Sequence, residues 1–147
     1  MKKPVIVICS SAAFYQKVND LATELEKLGF TAVVPRVART MAEKGDYDVS
    51  HYKTWYGNDE DYSKKAQYIR WHFEEIENGD ILLVVNEEKH GAANYIGPNV
   101  LMEMALAFYF KQPIYLLNDF PEESSFIEEI KGMSSIPLHG DLSKINH

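Results

Sequence analysis

A chain of 147 residues with a hydrophobic fraction of 46% can bury a substantial core, and one domain over residues 1–147 is the expectation. Its formal net charge of −7 argues against polymeric nucleic acid as a partner, although a local basic pocket can still hold a small anion. Cys9 is the only cysteine, which excludes an internal disulfide and a multi-cysteine metal site. No stretch approaches the run of about 18 apolar residues that spans a bilayer, so a cytoplasmic location without a membrane partner is expected.

The elements alternate along the chain. VIVIC (5–9) is a short β-branched run suited to a strand buried on both faces, and FYQKVNDLATELEKLG follows with Val18, Leu21, Leu25 and Leu28 at helical spacing before Gly29. TAVVP (31–35) reads as a second strand. Residues 36–58 are rich in charge, Tyr and Gly without a clean period, and are expected to be irregular apart from a short helix; a stretch of this length suits a lid or binding loop beside a site. A long helix is predicted over 59–77, with Tyr62, Ala66, Ile69, Phe73 and Ile76 as its apolar stripe. DILLVVN (80–86) is the clearest buried strand. The helix in GPNVLMEMALAFYF (97–110) comes next, opened by Pro98, then PIYLLN (113–118) as a strand, an amphipathic segment over 122–132, and a weak last strand at SIPL. This order predicts an α/β fold: a single-domain, doubly wound, flavodoxin- or Rossmann-like parallel sheet of about five strands.

In such sheets ligands bind beyond the carboxyl ends of the strands. Ser10 and Ser11 leave the first strand there, Asn86 and the loop EEKHGAANYIGPN leave the third, and Asn118 and Asp119 leave the fourth, whereas Asp80 opens its strand and reads as a turn or cap residue at the opposite edge. CSSAAFYQ is neither a dinucleotide fingerprint nor a P-loop, so no cofactor is expected; its hydroxyls either bind an anion or sugar or simply cap the helix. His51, His72, His90, His139 and His147 lack metal-ligand spacing, and no metal site is expected. The acidic runs NDEDY and PEESSFIEEI read as solvated helix starts, and Trp55, Tyr56 and Tyr95 as loop aromatics suited to stacking on a base.

Glu103 is the anomaly, a lone carboxylate in an otherwise apolar helix, costly unless something pairs with it or uses it. The order of CSS, a helix, a later DILLVV strand, a polar loop and GPNVLMEMALAFYFKQPIYLL resembles the nucleoside 2-deoxyribosyltransferase superfamily, which includes the 2′-deoxynucleoside 5′-monophosphate N-glycosidases. The resemblance covers most of the chain and is carried by Glu103, Ala107 and KQPIY. It implies that Glu103 is the nucleophile, forming a covalent glycosyl intermediate in a retaining mechanism; the alternative is a carboxylate turned to the helix edge and bonded to a neighbour. Asn99, one turn earlier, is placed to orient the carboxylate or a ligand hydroxyl.

The family's acid, an aspartate in the preceding helix, corresponds to His72 here, which either protonates the leaving base or is a half-buried histidine bonded to a neighbour. The first strand also lacks the family's supporting tyrosine; none occurs until Tyr15, and Tyr95, in the loop before the Glu103 helix, is the candidate to substitute for it. The position six residues before the glutamate is Gly97. Ser10, Ser11 and Asn86 at the strand ends, with Tyr95, Gly97 and Asn99, are thus the expected substrate contacts, and the resemblance implies a nucleoside or nucleotide as small-molecule partner and a homo-oligomer, dimeric or larger. Two function classes follow: an enzyme that cleaves or exchanges an N-glycosidic bond, and a non-catalytic nucleotide-binding or sensing module on the same fold.

Overall fold

The computed structural model describes residues 2–146, so His147 lies outside the described residues. Five strands form one parallel sheet: β1 (Val5–Ser10), β2 (Thr31–Val33), β3 (Ile81–Val85), β4 (Ile114–Leu116) and β5 (Ile136–Pro137), in the spatial order β2-β1-β3-β4-β5. This is the doubly wound, flavodoxin-like order. β1 and β3 pair over their full lengths, from Ile6 beside Ile81 to Ser10 beside Val85. Every residue of β3 is buried, as a central strand covered on both faces requires.

Alternation along β1 divides the core. Ile6 and Ile8 face α1 (Tyr15–Lys27), packing with Val18, Leu21 and Leu25 and with Leu142 and Ile145 near the end of the chain. Val7 and Cys9 face the other way, against Ile76 of α3 (Tyr62–Glu77), Val100, Met104 and Ala107 of α4 (Pro98–Tyr109) and Ile130 of α5 (Ile127–Gly132). The segment expected to be largely irregular contains a regular helix, α2 (Arg36–Lys44), which begins after Pro35, buries Ala38 and Met41, and stops at Gly45 in the left-handed conformation. Acidic residues 59–61 form a single 3-10 turn ahead of α3.

The amino edge of the sheet is held by local ties. Asp80 accepts the Val5 N–H through its carboxylate at 2.8 Å, and the Gln112 amide donates to the carbonyls of Ile76 and Gly79. Gly79 sits where a Cβ would come within 2.6 Å of the Val7 methyl in β1. Gly79→Ala is therefore expected to lose about 1–3 kcal/mol, because Val7 is fully buried and backbone or side chain must shift. Urea unfolding measures this, and an unchanged midpoint would mean that the turn yields freely.

Candidate active site

Pro98 starts α4 where its missing N–H costs nothing, and Val100, Met104 and Ala107 turn toward the sheet. Glu103, one position round from Met104, turns instead toward α3. Its side chain keeps 15% of its exposure, and Oε2 stands 3.3 Å from Nε2 of His72, which is 9% exposed. The two atoms are buried and face each other at ion-pair distance without hydrogen-bond alignment, and among the described residues neither has another hydrogen-bond partner.

The second ring nitrogen of His72 meets a second carboxylate, with Nδ1 3.4 Å from Glu75 Oε2, one turn along α3. Glu75 is met in turn by Arg36 at 3.5 Å, and the Arg36 guanidinium lies over the Trp71 ring, 4.3 Å from its centre. Charges therefore alternate along Arg36, Glu75, His72 and Glu103. Burial alone would lower the His72 pKa, but the Glu103 charge and contact, followed by those of Glu75, outweigh it together and raise the value to about 9. At neutral pH His72 is an imidazolium with a proton on each nitrogen.

Glu75→Gln is expected to lower the His72 pKa by roughly one unit, since an opposing charge and a good acceptor are both weakened. An NMR titration of the imidazole reads this directly, and an unmoved midpoint would leave Glu75 without influence on the ring.

Two further groups surround the carboxylate. The Cys9 thiol comes from the end of β1, where burial and then Glu103 push its pKa well up, so it remains a neutral thiol. Tyr15 opens α1, and its hydroxyl is likewise raised by burial, then by the charges of Glu103 and Cys9. Both stay neutral beside the His72 imidazolium.

Glu103, His72, Asn99 and Tyr15 line one cavity of about 100 Å³. Its far wall comes from α2 and the segment after it, through Arg36, Met41, Tyr52, Lys53 and Trp55, with Lys65 from α3. The stretch 36–58 thus lies beside the cavity, and Trp55 is the loop aromatic that reaches it, whereas Tyr56 is exposed. The structure brings together Glu103, His72 and Asn99 of the residues singled out from sequence. The others have different surroundings. Ser10 is buried and donates to the Ser11 carbonyl; the Ser11 hydroxyl accepts from Lys89 at 2.8 Å, one residue before Ala12, which does line the cavity. Asn86 is fully buried and spends its amide on the Asp119 carbonyl and the Asn118 N–H, bracing the ends of β3 and β4. Tyr95 and Gly97 line a separate hollow with Pro98 and Phe126, the Tyr95 ring packing over Gly97.

Cys9, Glu75, Arg36, Lys53 and Lys65 were not singled out by sequence reasoning. For Cys9 the signal was its place at the carboxyl end of a buried strand; for Glu75 it was the i, i+3 spacing from His72. No protein-family model matches the sequence, and no curated protein matches it. A solved structure does match the fold: the Clostridium botulinum CMP N-glycosidase BcmB. The TM-score is 0.50 at 13% identity, over 92% of this chain and 88% of that chain. At that identity BcmB shares the α/β architecture, and the roles of individual residues rest on the site itself.

Proposed function

We propose that this chain is an N-glycosidase or nucleoside deoxyribosyltransferase, one domain over residues 1–147 acting on a (deoxy)nucleoside or its 5′-monophosphate. The observation that carries the reading is a largely buried carboxylate, Glu103, facing a cavity with an imidazolium 3.3 Å away. The fold shared with a nucleotide N-glycosidase supports it.

A Glu103 oxygen attacks C1′ as the bond from C1′ to the base nitrogen breaks, passing through an oxocarbenium-like state that the carboxylate stabilises before closing the glycosyl ester. The base leaves with the electron pair of the broken bond and takes the Nε2 proton of His72. The timing follows from electrostatics. While Glu103 is charged, it helps hold the His72 proton; as the ester forms, that charge disappears, burial dominates, and the imidazolium becomes a stronger acid. Water or a second base then attacks C1′ on the other face, giving its proton to His72 and releasing Glu103. Asn99, four residues before Glu103 on the same helix, orients the sugar hydroxyls or the carboxylate.

A panel of nucleosides and 5′-monophosphates tests the reading by chromatography of released base, with intact-protein mass spectrometry for a glycosyl adduct on Glu103. Release with an adduct is expected. Binding without release from any member would favour the non-catalytic nucleotide-binding module.

A further inference from the structure

Cys9, the only cysteine of the chain, is fully buried one residue before the carboxyl end of β1, paired with Val84 of β3. It faces the α4 layer and belongs to an apolar cluster that includes Val100 and Met104. A buried thiol in such company is ordinarily a small apolar filler. Here one neighbour is different: the thiol hydrogen-bonds the Glu103 carboxylate on α4. The direction of that bond is fixed. Burial, followed by the charge and contact of Glu103, pushes the thiol pKa well up, so the sulfur keeps its hydrogen and donates it.

A carboxylate in this position needs such a contact. The last torsion of a glutamate is broad and two-fold, so packing along the stem does not by itself set the plane of the two oxygens. His72 approaches Oε2 at 3.3 Å without hydrogen-bond alignment, and an attraction between charges has little directional preference. We propose that Cys9 is a positioning residue for Glu103: its thiol, donating from the middle of the sheet, fixes the carboxylate plane so that an oxygen is presented to C1′ of a substrate in the cavity. This rests on the N-glycosidase reading for the reaction but not for the contact. β1 suits the task because it lies between β2 and β3 and is packed on both faces, which makes it a firm anchor for a group on a neighbouring helix. Cys9 does not itself line the cavity, so it acts through the carboxylate and not on the ligand. A thiol is also a weak donor. It orients the carboxylate while drawing off less electron density than a hydroxyl would, which suits a group that must attack carbon.

A single cysteine gives the protein a single S–H stretching band, and infrared spectroscopy reads it without turnover. At pH 7 the wild-type band is expected at lower frequency than that of a free thiol, and Glu103→Gln, whose neutral amide accepts more weakly, should move it upward. A wild-type band at the free-thiol position, or one that Glu103→Gln leaves in place, overturns the proposal. Base-release kinetics read the consequence. Cys9→Ala is expected to lower kcat about tenfold and to leave KM within about twofold, because a misplaced carboxylate costs rate while the thiol touches no substrate. Cys9→Ser restores a donor at nearly the same place and should recover most of the lost kcat. A thiol that only fills space predicts the reverse order, since a hydroxyl is worse suited than a methyl to an apolar pocket. Equal kcat for wild type and Cys9→Ala therefore overturns the proposal, as does a Cys9→Ser variant as slow as Cys9→Ala. Thermal unfolding checks that each variant is folded, and Cys9→Val takes the place of Cys9→Ala as the non-donor where the latter is not. The two ways of failing are distinct. Base release that Cys9→Ala leaves unchanged removes the positioning role and keeps the enzyme. A Glu103-sensitive band in a protein that releases no base removes the enzyme reading, and the positioning role with it, while the contact between thiol and carboxylate stands.

Discussion

Glu103→Gln is expected to reduce base release by on the order of 10,000-fold or more, the scale seen when the attacking group of a catalytic unit is lost. The same substitution is expected to destabilise the fold. A catalytic carboxylate in an apolar helix is usually a compromise, and removing its charge then often raises stability. The contact with His72 reverses that sign. Moving His72 from 6.5 to about 9 on folding is worth roughly 3 kcal/mol at 1.36 kcal/mol per unit, shared between Glu103 and Glu75. Because the folded value is raised, this stability is fully present below about pH 6.5 and is lost as pH rises through about 9. Glu103→Gln should therefore cost roughly 2 kcal/mol at pH 6 and much less at pH 10, with Glu75 retaining the remainder. Urea unfolding of both proteins at the two pH values measures the difference. An equally stable variant at pH 6 would mean that the ion pair contributes nothing, and base release within tenfold of wild type would remove Glu103 from the nucleophile's role.

Most of the sheet was legible because its strands are continuous apolar runs: VIVIC and DILLVVN can satisfy themselves only in the interior of a parallel sheet. α2 was harder to read, since its buried face consists of little more than Ala38 and Met41 amid charged residues; its clearest signals were punctuation, Pro35 before it and Gly45 after it. Glu103 stood out as the polar exception in an apolar helix, and His72 only as the counterpart of the acid that the resemblance implies. Their contact did not, because it depends on how α3 and α4 lie against each other, which neither helix's own pattern specifies. The same reason hides Tyr15: it follows β1 by a few residues, yet only the packed fold sets its hydroxyl near Glu103. Asn86 shows a structural demand that its strand-end position does not announce. A polar residue at the carboxyl end of a strand is well placed to meet a ligand, but the ends of β3 and β4 must also be tied together, and its amide serves that need.

His72→Asn separates proton donation from charge pairing, because the amide can still donate a hydrogen bond toward Glu103 but has no proton to give to a base. For an unactivated leaving base, base release is expected to fall by roughly 100- to 10,000-fold, the usual contribution of a general acid. For a glycoside whose leaving group departs as a stable anion, the fall should be about tenfold or less, reflecting only the lost electrostatic and positional support of the carboxylate, for which nearby charge contributes modestly once solvent enters the site. The pH dependence provides an independent reading. In the wild type, kcat/KM for the unactivated substrate should decline as pH rises through about 9, where the free protein's imidazolium loses its proton. The variant should lack that limb, and Glu75→Gln should move it to lower pH, since Glu75 helps hold the proton. Stopped assays with the two substrate types across pH 6 to 10 decide the matter. Equal slowing of both substrates, with the alkaline limb intact in the Asn variant, would assign His72 to holding Glu103 in place and leave the leaving base to be protonated by another group.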